Sequence, residues 1–107
     1  MKLVVAIINS DDSQNVLSEI TKAGFYATKL STTGGFLRAG NLTLLIGTEN
    51  EKVDEILAIL HENCKKREAI TPVIPSMEGN LIPSVPIKIS VGGATVFVLD
   101  VEQFYKI

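Results

Sequence analysis

Residues 41–64 read NLTLLIGTENEKVDEILAILHENC, and this stretch decides the fold class. Asn41 to Ile46 reads as a strand that stops at Gly47. Thr48-Glu49-Asn50-Glu51 has the form of a capping box, with Thr48 at N-cap and Glu51 at N3. Behind it Val53, Ile56, Leu57, Leu60 and Cys64 share one stripe at helical spacing, while Lys52, Glu55, Glu62 and Lys65 lie off it. Lys65-Lys66-Arg67 closes the helix with positive charge against the negative end of its dipole and reads as a solvated end.

The pattern repeats towards the N-terminus. Leu3 to Ile8 is an unbroken apolar run rich in β-branched residues, as in a central strand covered on both faces. Asn9-Ser10-Asp11-Asp12 interrupts it and offers N-caps, a better account of Asp11-Asp12 than a metal site. A helix with the stripe Val16, Leu17, Ile20 and Ala23 follows, and Gly24 stands where a left-handed C-terminal glycine belongs. Phe25 to Leu30 is the second strand, antiparallel to the third, and Ser31 to Gly40 is a glycine-containing loop between them.

Towards the C-terminus, residues 68–93 are punctuated by Pro72, Pro75, Gly79, Pro83 and Pro86. Val73-Ile74 and Val85 to Ile89 suggest a hairpin with a loose tip, and an insertion of this length in a compact domain points to function or to disorder. Gly92-Gly93 precedes a last strand, Ala94 to Leu99, and Val101 to Ile107 suggests one helical turn. Two βαβ-type halves make a ferredoxin-like βαββαβ sandwich of the α+β class, with residues 1–107 as one domain. Its helices cover one sheet face. The opposite face is apolar, and trimerisation would cover it.

Composition narrows the function. The chain has 107 residues, 46% of them apolar, and a net charge of −2, which argues against non-specific nucleic-acid binding. A mean hydropathy of +0.29 is high for a small lone domain and fits an oligomer. Cys64, the one cysteine, fits a reducing cytoplasm. No apolar run reaches the roughly 18 residues of a membrane span, and Leu3 to Ile8 is too short for a signal sequence and lacks a cleavage site before Asp11.

Thr32-Thr33-Gly34-Gly35-Phe36-Leu37-Arg38-Ala39-Gly40-Asn41 is the most informative loop. Its hydroxyls and the backbone N–H groups around two glycines suit an anion. Phe36 offers a flat surface for a nucleobase, Arg38 a cation for phosphate, and Asn41 hydrogen bonds for a base edge. The plainer reading is a wide hairpin with Phe36 and Leu37 tucked into its own core or a neighbour. The loop is neither a Walker A motif nor a G-x-G-x-x-G fingerprint. Signals for catalysis are weak: His61 lies beside the helical stripe, Cys64 sits within it, and no cluster has metal-ligand spacing.

Ala27-Thr28-Lys29-Leu30 with the loop 32–41, Val53-Asp54-Glu55-Ile56-Leu57 and Val91 to Leu99 together resemble the PII-like cyclic-di-AMP receptors of Gram-positive bacteria, the PstA- and DarA-type proteins, over nearly the whole chain. The resemblance implies a ferredoxin-like, PII-like subunit in a homotrimer, with one cyclic-di-AMP in each cleft between subunits. It also implies a short loop between strands two and three and a long one after the second helix, at roughly 70–86. Carried over by position, Ala27, Thr28, Gly35, Phe36, Leu37, Asn41, Gly47 and Phe97 line the cleft. Two positions depart from the family pattern. Tyr26 stands where relatives often carry arginine, and Lys106 where they carry glutamine; both family positions contact ligand, so Tyr26 and Lys106 join the candidate site. The expected function is a cytoplasmic signalling protein without cofactor, metal or catalysis, whose loops order on ligand and are read by a partner protein. The alternatives are a trimeric interaction module that has lost the nucleotide and, further off, a nucleotide hydrolase.

Overall fold

A computed structural model describes residues 1–30, 40–71 and 87–107. The elements run β1 (Lys2–Asn9), α1 (Ser13–Lys22), β2 (Ala27–Leu30), β3 (Asn41–Thr48), α2 (Val53–Asn63), β4 (Arg67–Thr71), β5 (Ile87–Val91) and β6 (Ala94–Asp100). A four-stranded antiparallel sheet has the order β2-β3-β1-β6, and β4 pairs with β5 as a separate hairpin. This is the ferredoxin-like sandwich, with the hairpin inserted between α2 and the last strand.

Register makes the sheet two-faced. Val4 pairs with Ile46 and Val98, Ala6 with Leu44 and Val96, and Ile8 with Leu42 and Ala94. Directly paired residues share a face. Val4, Ala6, Ile8, Leu42, Leu44 and Ile46 form the core with Val16, Ile20, Val53, Ile56, Leu60 and Cys64 from the helices. The α2 stripe is therefore the one the spacing predicts, with Leu57 partly buried. In α1, Val16 and Ile20 are buried and Leu17 packs on the core, but Ala23, expected in the stripe, caps the end of the helix and is exposed. The alternate residues, Leu3, Val5, Ile7 and Leu45, are only half-buried. β1 is central in the sheet but covered on one face rather than two, because both helices pack on the same side.

Several local expectations are corrected. Thr48 caps no helix: it is the last residue of β3, buried on the helix side, and β3 runs through Gly47. A 3-10 turn, Asn50–Lys52, intervenes before α2, held by the Lys52 N–H on the Glu49 carbonyl (3.0 Å), and neither Glu49 nor Lys52 makes a side-chain cap. β2 begins at Ala27, two residues late. Gly24 takes φ +89°, and Phe25 turns into the core with its N–H on the Ile20 carbonyl (3.1 Å). The hairpin exists but is rooted at Arg67–Thr71 and Ile87–Val91; Val73-Ile74 lies outside the described residues. The tail forms no helical turn: the Val101 N–H donates to the Met1 carbonyl (3.1 Å), and the chain continues without regular structure.

Arg67 is the largest correction. It starts β4 and forks onto Asp12, Nη2 to Oδ1 at 2.9 Å and Nη1 to Oδ2 at 3.3 Å. Asp12 occupies the N-cap position of α1 yet makes no cap bond. A charged side chain so nearly buried needs a full-charge partner more than a single backbone amide.

Candidate functional site

The open sheet face collects much of the candidate site. Numbered across the sheet, Thr28, Leu45, Val5 and Phe97 form one row, and Gly47, Leu3 and Leu99 the next. Asn41 pairs with Asn9 at the far end. Thr28, Asn41, Gly47 and Phe97 thus share a face, whereas Ala27, paired with Ile46, lies on the helix side and packs on the core. Gly35, Phe36 and Leu37 lie outside the described residues.

Sharing a face does not make these residues neighbours. Thr28 and Phe97 stand on opposite edge strands, three strand spacings or about 14 Å apart. Gly47 and Asn41 lie near opposite ends of β3, about 20 Å apart at the rise of an antiparallel strand. Within one chain the residues mark the rim of an apolar floor made by Leu3, Val5, Ile7, Leu45 and Leu99. Phe97 is 54% exposed, large for an aromatic residue at mid-strand.

A hollow lies towards each end of the sheet. One, of about 200 Å³, is lined by Asn41, Ile7, Thr95, Lys66, Gly92, Gly93 and Ala94. It joins an amide side chain, a hydroxyl and an ammonium where the chain enters β3. The other, of about 280 Å³, includes Tyr26 and Ala27 beside Gly24 and Phe25. There the Lys106 ammonium lies 5.8 Å from the Tyr26 ring centroid, within cation–π range. The tail from β6 therefore returns past the sheet to the start of β2, and the two positions that depart from the family pattern touch each other.

The first hollow also brings in Thr95 and Lys66, which the sequence reading did not single out. Thr95 was available from the period of two shared with Phe97 and Leu99. Lys66 carried no such signal, since its place depends on the chain leaving α2 at Cys64. Catalytic candidates gain nothing. His61 is exposed. Cys64 is buried, and burial, then the Asp12 carboxylate, push its thiol up against a weaker pull from Arg67, so it stays protonated at neutral pH. Among the described residues no group of His, Cys, Asp or Glu is placed to hold a metal ion, and no helix is long and apolar enough to cross a membrane.

A protein-family model described as "Cyclic-di-AMP receptor" matches residues 1–107. The fold is also similar to a crystal structure of a functionally unknown protein from Pediococcus pentosaceus ATCC 25745, at 42% sequence identity and a TM-score of 0.72, over 99% of this chain and 96% of that one.

Proposed function

Because the chain belongs to the cyclic-di-AMP receptor family, we propose that it binds cyclic-di-AMP at seams between three copies of itself and signals occupancy through the segments around 31–40 and 70–86. The whole-chain family match carries the ligand. The layout of the open face supports the seams. Rim residues on opposite edges of one sheet are too far apart to close on a single base, but the Phe97 edge of one copy set against the Thr28 edge of the next closes that gap. The same packing covers an apolar face that neither α1 nor α2 covers.

At such a seam Thr28 and backbone N–H groups hold phosphate. Phe36, Leu37 and Phe97 enclose a base, while Asn41 and the Gly35 and Gly47 backbones approach its edge. Tyr26 and Lys106 supply a ring and a cation where relatives use a guanidinium. The protein acts in the cytoplasm as a non-enzymatic receptor read by another protein, which requires that the ligand bind one state of those segments better than another. The Tyr26–Lys106 contact also favours a second reading, an interaction module in which the ring occupies the cation and the nucleotide is not taken.

Calorimetry and thermal shift with cyclic-di-AMP, cyclic-di-GMP, ATP and ADP decide between them. The first reading expects heat and a raised melting temperature with cyclic-di-AMP, since a ligand of the folded state stabilises by about 2.7 kcal/mol at a hundred times its Kd. Gly47→Val is the matched variant. A Cβ at Gly47 meets nothing within 4 Å in the single chain, so the strand has room for a side chain there, and retained melting of the ligand-free variant checks the fold. In the seam that side chain weakens binding at least about tenfold, or 1.4 kcal/mol. No heat and no shift with the unsubstituted protein at high micromolar cyclic-di-AMP rejects the reading.

A further inference from the structure

We propose that the three-residue turn Ser10–Asp12 ties the start of β3 and the root of the β4–β5 hairpin into one unit, Ser10 holding Gly40 and Asp12 holding Arg67, so that a ligand held at one is felt at the other. As a route of signalling this rests on the cyclic-di-AMP reading. The geometry of the link does not.

On one side of the turn, the Ser10 N–H donates to the Gly40 carbonyl at 2.7 Å and the Ser10 hydroxyl donates to the same oxygen. Two bonds from one residue fix the point where the chain enters β3, next to Asn41. On the other side, Asp12 takes both arms of the Arg67 guanidinium. Nη1 of Arg67 also donates to the Lys65 carbonyl at 3.2 Å, tying the first hairpin strand to the chain leaving α2. The second strand is held from behind. Gly92 takes φ +91° and passes so close that a Cβ there would lie 2.5 Å from the Lys65 carbonyl oxygen and 2.9 Å from Nη1 of Arg67, and the Gly93 N–H donates to the Cys64 carbonyl.

The turn itself is stiff. Asn9 Oδ1 accepts from the Asp11 N–H at 2.8 Å, and the Ser13 hydroxyl donates to the Ser10 carbonyl at 2.8 Å. Asp12 is the telling residue. It sits where a carboxylate ordinarily caps its own helix, makes no such bond, and is directed instead to a residue 55 positions away. The entry to β3 at Gly40 and the first residue of the β4–β5 hairpin, Arg67, thus share one anchor. Asp12 and Arg67 act as positioning residues, and the fork between them is the contact whose making or breaking would carry the coupling.

Hydrogen exchange on the full chain tests the link, with Arg67→Gln and Ser10→Ala, and with Arg67→Lys if the glutamine variant does not fold. Without ligand, breaking the fork speeds exchange of the β4–β5 amides and of the Ser10 amide across the turn roughly fivefold or more, the lower end of typical couplings, while central β1 and α2 are unchanged. Ser10→Ala does the converse. With cyclic-di-AMP, the unsubstituted protein is protected at both the start of β3 and the hairpin, and the Arg67 variant keeps the first protection and loses the second. Effects confined to the mutated side, uniform acceleration through β1 and α2, or hairpin protection that survives loss of the fork overturn the proposal. If the unsubstituted protein binds no cyclic-di-AMP, the functional reading falls, and the ligand-free arm still decides whether the turn couples the two sides.

Discussion

The two faces of the sheet are made from the same strands and differ little in composition, yet they meet different surroundings. On the helix side Val4, Ala6, Ile8, Leu42, Leu44 and Ile46 are sealed under α1 and α2. On the open side Leu3, Val5, Ile7 and Leu45 are half-covered, and Phe97 and Leu99 stand about half in water. Apolar content therefore says that a surface wants cover, and topology says which surface receives it within the chain. Continuous apolar surface left open on a small protein marks an interaction site. The comparison breaks most visibly at its dry end. Leu44→Ala removes a fully buried side chain from the layer between sheet and helices and lowers stability by about 2–5 kcal/mol. Urea unfolding should give the same loss at every protein concentration, since the cavity belongs to one chain. A loss that shrinks on dilution would mean that the helix face is shared between copies.

The edge strand β6 sharpens the contrast, because neighbouring residues there are similarly exposed on opposite faces: Phe97 at 54% on the open side and Val98 at 44% on the helix side. In a lone chain, truncating either to alanine should stay close to the ±0.5 kcal/mol of ordinary surface changes. In an assembly closed over the open face the two separate. Phe97→Ala then costs on the order of 1 kcal/mol, since fully burying such a ring is worth about 1.5–3 and roughly half remains to be covered, and light scattering shows a shift towards single copies. Val98→Ala leaves both stability and mass unchanged. Equal effects at the two positions would remove the basis for treating the open face as special.

What could be read in advance follows the range of the forces involved. The stripe Val53, Ile56, Leu57, Leu60 and Cys64, the turn at Gly24 and the order of strands are local patterns, and they place the core correctly. Local reasoning fails where a distant partner outbids a near one. Thr48 has the residues of a capping box around it, but its backbone completes the pairing with Lys2 and draws it into β3. Lys65-Lys66-Arg67 reads as a helix end until Asp12 claims Arg67. The candidate site divides in the same way. Thr28, Asn41, Gly47 and Phe97 are identifiable from the family pattern, and alternation predicts a common face for residues of one strand, but their separation across the sheet depends on pairings between distant segments. The return of Lys106 to Tyr26 across eighty positions is of the same kind.

The smallest expected effect lies at the rim of the helix face, where Lys2 pairs directly with Asp100 and its ammonium donates to the carboxylate. That hydrogen bond first, and the ammonium charge second, hold the Asp100 carboxyl below its ordinary value of 3.8. A carboxyl lowered in the folded state favours folding whenever it is ionised in both states. Its contribution is therefore complete above the unfolded value and is lost as pH falls through the lower, folded one. Asp100→Asn should lower the melting temperature slightly and by a constant amount from neutral pH down to about pH 4, near the ordinary range of aspartate, and the gap should close in stronger acid. Because the Asp100 side chain is 85% exposed, added salt should reduce the gap at neutral pH as well, as for surface pairs in general. A gap that resists salt would show the pair to be shielded from solvent, placing this rim under cover too and moving the boundary between the dry and open faces outward past β6.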